Sequence, residues 1–151
     1  MKLLVAAMLA LFALPNLTAA EPEKGQSTTR YGIELDLKSY PQGTPRETLA
    51  SVLKAIANKR FDYVVAQLAD PAYFDERIKR LFAGKFDEQV AETRTKLDAP
   101  TVKLLERFLS DGDWEATKSP VLVLLKDVKD KSLMFVKIGD RWYWKNNYQP
   151  E

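Results

Sequence analysis

The stretch that decides the fold is TPRETLASVLKAIANKRFDYVVAQLADP, residues 44–71. Its first four residues carry three helix-start signals. Thr44 has a hydroxyl that accepts from a free first-turn amide, Pro45 suits the first helical position because it has no amide hydrogen to satisfy, and Glu47 completes a capping box. Leu49, Val52, Leu53 and Ile56 then fall at i, i+3, i+4 and i+7, one apolar stripe along a helix. After the polar link Asn58-Lys59-Arg60, the set Phe61, Val64, Val65 and Leu68 repeats the spacing. Asp70-Pro71 ends this second helix and is itself a fitting start for another.

Toward the N-terminus, Tyr40-Pro41-Gln42-Gly43 is a turn signal. Before it, Ile33, Leu35 and Leu37 alternate with Glu34, Asp36 and Lys38, the period of two of a half-buried strand. An extended arm lying across the domain fits the same alternation. Glu21 to Arg30 is polar, holds Pro22 and Gly25, has nothing to bury, and reads as a disordered leader. The first twenty residues follow the layout of a secretory signal: Lys2, then an unbroken apolar run of twelve from Leu3 to Leu14, then Pro15-Asn16 and the small residues Thr18, Ala19 and Ala20. A membrane-spanning helix needs about 20 apolar residues, so the run is too short for one. The chain holds no cysteine, which excludes both a lipid-anchored processed end and disulfides. The expectation is an exported, periplasmic or extracellular protein, free of the membrane after cleavage, with a single domain from residue 31 to 151.

Toward the C-terminus, Phe74, Ile78, Leu81 and Phe82 mark a third helix closed by Gly84. Phe86, Val90 and Leu97 mark a fourth, whose stripe is diluted by Thr93. Val102, Leu105, Phe108 and Leu109 mark a fifth, after Asp98-Ala99-Pro100 and before Asp111-Gly112. The rest reads as sheet: a short strand at Trp114–Thr117, apolar runs at Val121–Leu125 and Leu133–Ile138, a turn at Asp127–Asp130, and an aromatic strand from Arg141 to Asn146. Gly139-Asp140 is a two-residue hairpin linker. It pairs Ile138 with Arg141, Lys137 with Trp142, Val136 with Tyr143 and Phe135 with Trp144. One sheet face then carries Leu133, Phe135, Trp142 and Trp144. The other carries Met134, Val136, Ile138 and Tyr143 and is apolar enough to call for a covering segment or a second subunit. Helices first and adjoining strands last give an α+β fold, with N-terminal helices packed on a curved antiparallel sheet formed mainly by C-terminal strands.

The stretch at 44–71 resembles the opening helix pair of the nuclear transport factor 2-like superfamily. There a capped helix leads through a basic or Gly-containing turn into an aromatic-Asp start and a second helix ending in Leu-Ala-Asp. KSLMFVKIGDRWYWKN, residues 131–146, resembles the last hairpin of such domains. The resemblance implies a curved sheet wrapping the helices into a cone, with members that bind ligands or partners and others that isomerise or dehydrate small apolar molecules using a carboxylate base and a tyrosine. The middle departs from the pattern, because Pro71 to Leu109 has helical periodicity where many members place a strand or hairpin.

The chemical inventory is narrow. With neither histidine nor cysteine, the usual zinc and copper ligand sets and the histidine-based nucleophilic machinery are missing. The six glycines form no phosphate-binding loop, and the acidic residues do not fall into a calcium-loop spacing. No metal or cofactor is expected. After loss of the signal, 22 basic and 21 acidic side chains remain, a net charge of +1 with the signs interleaved, which argues against a nucleic-acid partner. Tyr63 and Asp113 are the residues on which acid–base chemistry would rest, although Tyr63 adjoins an apolar stripe and Asp113 a turn. Tyr63, Phe135, Trp142 and Trp144 are the candidate ligand-binding residues; Val136, Ile138 and Tyr143 are the candidate dimer face. The expected function is a non-catalytic exported domain that binds a small ligand or a protein, with a small acid–base enzyme on the same scaffold as the alternative. Protein recovered from its native host should begin near Glu21 and lie outside the cytoplasm. N-terminal sequencing of fractionated cells checks this, and intact Met1–Ala20 on a cytosolic product would refute it.

Overall fold

Thr44 starts the first long helix as its sequence requires. Its Oγ1 accepts from the Glu47 amide at 3.1 Å, while Glu47 Oε2 reaches back to the Gly43 amide at 3.0 Å. This is seen in a computed structural model, which describes residues 28–115 and 117–145. The expected signal segment and residues 21–27 of the expected leader lie outside the described residues.

Helix α1 (Pro45–Ala57) is followed by Lys59 at φ +58° and by α2 (Phe61–Tyr63), which continues as a π-helical turn over Val64–Leu68. The Ala69 amide donates to the Val64 carbonyl five residues back. Every residue from Tyr63 to Asp70 is buried, so this second helix runs through the centre of the domain. Asp70 caps α3 (Pro71–Leu81) by accepting from the Ala72 amide, and Gly84 at φ +86° closes it, its N–H donating a hydrogen bond to the Ile78 carbonyl. Helix α4 spans Phe86–Lys96, and α5, capped by Asp98, spans Ala99–Asp111. Three antiparallel strands follow in the order β3 (Val121–Leu125), β4 (Val128–Ile138) and β5 (Arg141–Lys145), once the short strands β1 (Thr29–Arg30) and β2 (Ile33–Glu34) near the N-terminus are counted as the first two. The protein is therefore α+β, with five α-helices preceding a C-terminal antiparallel sheet among the described residues. The β4–β5 register pairs Ile138 with Arg141, Lys137 with Trp142, Val136 with Tyr143 and Phe135 with Trp144, as the Gly139-Asp140 turn predicts.

The main core lies between α1, the second helix, α5 and the inner sheet face. Leu49, Val52, Leu105, Phe108, Phe135 and Trp142 are buried in it. A second cluster (Val65, Ala69, Phe74 and Ile78) fills the space beneath α3.

Several expectations are corrected. The leader was expected to be disordered through Arg30, yet Thr29–Arg30 pairs with Ile33–Glu34. The reason is Arg30, whose guanidinium bonds the Ala66 carbonyl and ion-pairs with Asp75. The alternation from Ile33 to Leu37 yields only that two-residue strand. The chain turns at Asp36, whose carboxylate accepts from the Ser39 amide, and Leu37 is left 44 % exposed. The second helix is widened into π geometry, a change that an apolar spacing of three and four does not reveal. No strand forms at Trp114–Thr117 among the described residues, because the Trp114 indole donates to the Phe108 carbonyl and packs beside Phe135. The turn expected at Asp127–Asp130 is shorter: Val128 already pairs with Leu125 and starts β4.

A polar seam ties these layers together. Arg141 is only 9 % exposed. Its Nη2 donates to Gln42 Oε1 (2.8 Å), the Gln67 carbonyl (2.9 Å) and Gln67 Oε1 (3.1 Å). Gln42 Nε2 in turn donates to the carbonyls of Gln67 and Trp142, and Gln67 Nε2 to those of Thr28 and Ile33.

On α1 the buried stripe is centred on Leu49, Val52 and Ala55, and Leu53 is half-buried at its edge. Leu49→Ala should therefore cost about 2–5 kcal/mol, and Leu53→Ala distinctly less. Urea unfolding of both variants checks this; equal losses would show that the helix is rotated about its axis.

Candidate functional site

Thr93 interrupts the apolar stripe of α4, and the structure shows what the interruption faces. A cavity of about 210 Å³ lies between α3, α4, the first turn of α5 and β5. Val64, Ala69, Phe74, Leu97 and Trp144 give it apolar walls. Gln89, Thr93 and Thr101 give it a polar side, with Arg77 and Lys96 beside them. Trp144 reaches this position because β5 docks against the end of the second helix: the Asp70 amide donates to the Trp144 carbonyl at 2.8 Å.

The charges at the cavity are mutually engaged. Arg77 Nη2 lies 2.7 and 2.8 Å from the two Glu92 oxygens, and Lys96 Nζ lies 2.8 Å from Oε1. Burial alone would raise the Glu92 pKa, but the hydrogen bonds from Arg77 and Lys96 outweigh it and hold the carboxyl below its ordinary value. Glu92 is thus an ionised bridge between two cations, unsuited to taking up a proton near neutral pH.

Gln89 is 2 % exposed. Its Nε2 donates to Glu92 Oε2 at 3.2 Å and to Thr93 Oγ1 at 3.1 Å, which sets the amide's orientation, since the reverse would press Oε1 against a carboxylate. Oε1 then has no hydrogen-bond partner among the described residues. A buried acceptor left unpaired costs about 1–3 kcal/mol.

The residues singled out from sequence are dispersed. Trp144 lines the cavity, whereas Phe135 and Trp142 are buried in the main core. Tyr63 is buried as well: its hydroxyl accepts from the Asp36 amide at 2.9 Å, its ring lies 4.4 Å from that of Tyr40, and burial raises its pKa. Asp113 is exposed and accepts from the Glu115 amide. Neither Tyr63 nor Asp113 lines the cavity. Of the candidate dimer face, Val136 and Ile138 are half-buried, but Tyr143 is only 1 % exposed and lies under the Arg141 guanidinium, 4.9 Å from its ring centroid. Leu122 and Leu124 on β3, not singled out from sequence, are the exposed apolar side chains of that sheet. Gln89, Arg77 and Glu92 were also missed. The one visible trace of them was Thr93 standing where an apolar residue was due. Among the described residues no group of three or more carboxylates is placed to hold a metal ion.

A clasp outside the cavity holds two of its walls. Tyr31, at φ +52°, stacks on Phe86 of α4 at 4.5 Å and donates its hydroxyl to Asp75 of α3 at 2.7 Å. Burial, that hydrogen bond and the Asp75 charge push its pKa up to about 12.

The Arg77–Glu92–Lys96 bridge sets an acid dependence. Unfolded Glu92 titrates near 4.5 and the folded group below it, so its contribution is complete above that pH and lost as the pH falls through the folded value. Glu92→Gln should lower stability by about 0.2–1 kcal/mol at pH 7. The difference should shrink from pH 7 to a pH below the folded value, where both states carry the neutral acid. Urea unfolding at both pH values checks this, and a difference that persists in acid would place the bridge's effect outside Glu92 ionisation.

Comparison of the chain with known protein families, with characterised proteins and with solved structures finds no match.

Proposed function

We propose that the protein is an exported, non-catalytic binding domain that holds a small, mainly apolar molecule in the cavity between α3, α4, α5 and Trp144. The observation that carries this reading is the cavity itself: apolar walls, one polar side, and a buried acceptor that has no partner among the described residues, the composition of a small-molecule site. Its volume suits a ligand of one or two rings, since an apolar cavity of about 150 Å³ is enough to take up benzene. Binding is favoured over acid–base catalysis because the carboxylate at the site, Glu92, is neutralised by Arg77 and Lys96. Tyr63 and Asp113 both stand elsewhere. Export is carried by the signal-like pattern of residues 1–20, and membership of the nuclear transport factor 2-like superfamily by the resemblance of residues 44–71 and 131–146.

Titration with p-xylene, an apolar one-ring probe, should shift the indole N–H resonance of Trp144 in a proton–nitrogen correlation spectrum, with Trp114 and Trp142 as internal references. Leu97→Trp should fill the space and abolish the shift while leaving the rest of the spectrum folded. Absence of any shift at Trp144 in the wild type at saturating probe would overturn the reading.

A further inference from the structure

The polar side of the cavity is specific about what it lacks. Among the described residues, Gln89 Oε1 is an acceptor with no donor. Thr93 Oγ1, one helical turn along and 3.1 Å from Gln89 Nε2, accepts from that nitrogen. Unlike Thr95, which donates to the carbonyl four residues back, Thr93 makes no such bond within its helix. Its hydroxyl hydrogen therefore has no acceptor among the described residues. An acceptor and a donor thus lie on adjacent turns of α4, on two side chains that line the cavity and are each less than a tenth exposed, beside the ion-paired Arg77 and Lys96 and across from the apolar walls.

We infer that the cavity selects a ligand whose apolar body carries a hydroxyl group, as a small phenol or alcohol does; this rests on the cavity being the binding site. A hydroxyl is the smallest group that donates and accepts at once. Its hydrogen answers Gln89 Oε1, and its oxygen takes the Thr93 hydrogen. A carboxylate answers only the donor, and an aromatic hydrocarbon answers neither. Gln89 Oε1 is shut off from solvent, so the amide must turn slightly toward the cavity to meet a donor. Only a molecule that brings a donor compensates for that movement. The ring of such a ligand would lie among Phe74, Leu97 and Trp144.

The test compares p-cresol with p-xylene, which differ by a hydroxyl in place of a methyl at nearly constant shape. Dissociation constants are read from the Trp144 indole resonance of the full-length mature protein. p-Cresol should bind at least about fivefold more tightly, the gain of one to two neutral hydrogen bonds, although it is the better hydrated of the two. Gln89→Met and, separately, Thr93→Val should each reduce that preference to within about twofold, read as the ratio of the two probes' affinities in the same variant. Thr93→Val keeps the test alive if loss of the Gln89–Glu92 bond unfolds α4. Equal affinities for the two probes in the wild type, or a preference that survives both substitutions, would overturn the inference while leaving the binding site standing. Failure of both probes to shift Trp144 would remove the binding reading and this inference together.

Discussion

A guanidinium buried among neutral oxygens is the constraint around which the domain is arranged. Arg141 stays charged, and an isolated charge in a protein interior is costly unless other groups replace its water. Here the replacement is a set of neutral oxygens: Gln42 Oε1, Gln67 Oε1 and the Gln67 carbonyl. The carbonyl is the important member. It belongs to the last turn of the second helix, where carbonyl groups have no partner within the helix and the backbone dipoles converge as partial negative charge. Arg30 uses the preceding carbonyl, that of Ala66, in the same way. Two cations thus complete one helix end, and the helix end in turn makes their burial tolerable. Burial still draws the Arg141 pKa below its ordinary value, partly offset by Tyr143 and Tyr63.

The layout of the candidate site follows from that seam. Gln42 binds the carbonyls of Gln67 and Trp142 at once, and its own carbonyl accepts from the Trp142 amide, so the turn before α1, the second helix and β5 are locked in one register. Two residues further along β5, the Trp144 carbonyl accepts from Asp70, the residue that also caps α3. The tryptophan that walls the cavity and the helix that forms its opposite side are therefore placed by adjacent hydrogen bonds. The remaining walls are held from outside, where Tyr31 bridges Asp75 on α3 and Phe86 on α4. Tyrosine is a poor choice for a positive φ, and its stacking and hydroxyl bond are what offset the backbone strain there.

Helix α4 shows how a binding space arises from an imperfect stripe. A fully apolar face would have packed shut against α3 and α5. Gln89 and Thr93 instead present groups that bond to each other and to Glu92 but cannot fill the volume. The Arg77–Glu92–Lys96 bridge engages the two cations that stand at the polar side of the cavity, beside the Gln89 amide and the Thr93 and Thr101 hydroxyls.

What the sequence by itself determined was local. The caps at Thr44, Asp70 and Asp98, the stop at Gly84 and the register across Gly139-Asp140 each depend on residues within a few positions of one another, and their chemistry leaves few alternatives. The α+β order and the burial of Leu49, Val52, Phe135 and Trp142 follow from those local signals and apolar periodicity. The tertiary structure decided everything that depends on partners distant in the chain. Nothing near Arg141 in the chain marks it as buried; Gln42 and Gln67, 99 and 74 residues away, are brought around it only by the fold. Trp144 and Trp142 have the same type and the same strand face, yet one lines a cavity and the other is sealed in the core, because α1 and α5 cover one while α3 and α4 stand off from the other. For Gln89 the only local signal was its neighbour Thr93, standing where an apolar residue was due. The Gln89 amide oxygen is unpaired among the described residues only because Glu92, held by Arg77 from another helix, fixes which way the amide faces.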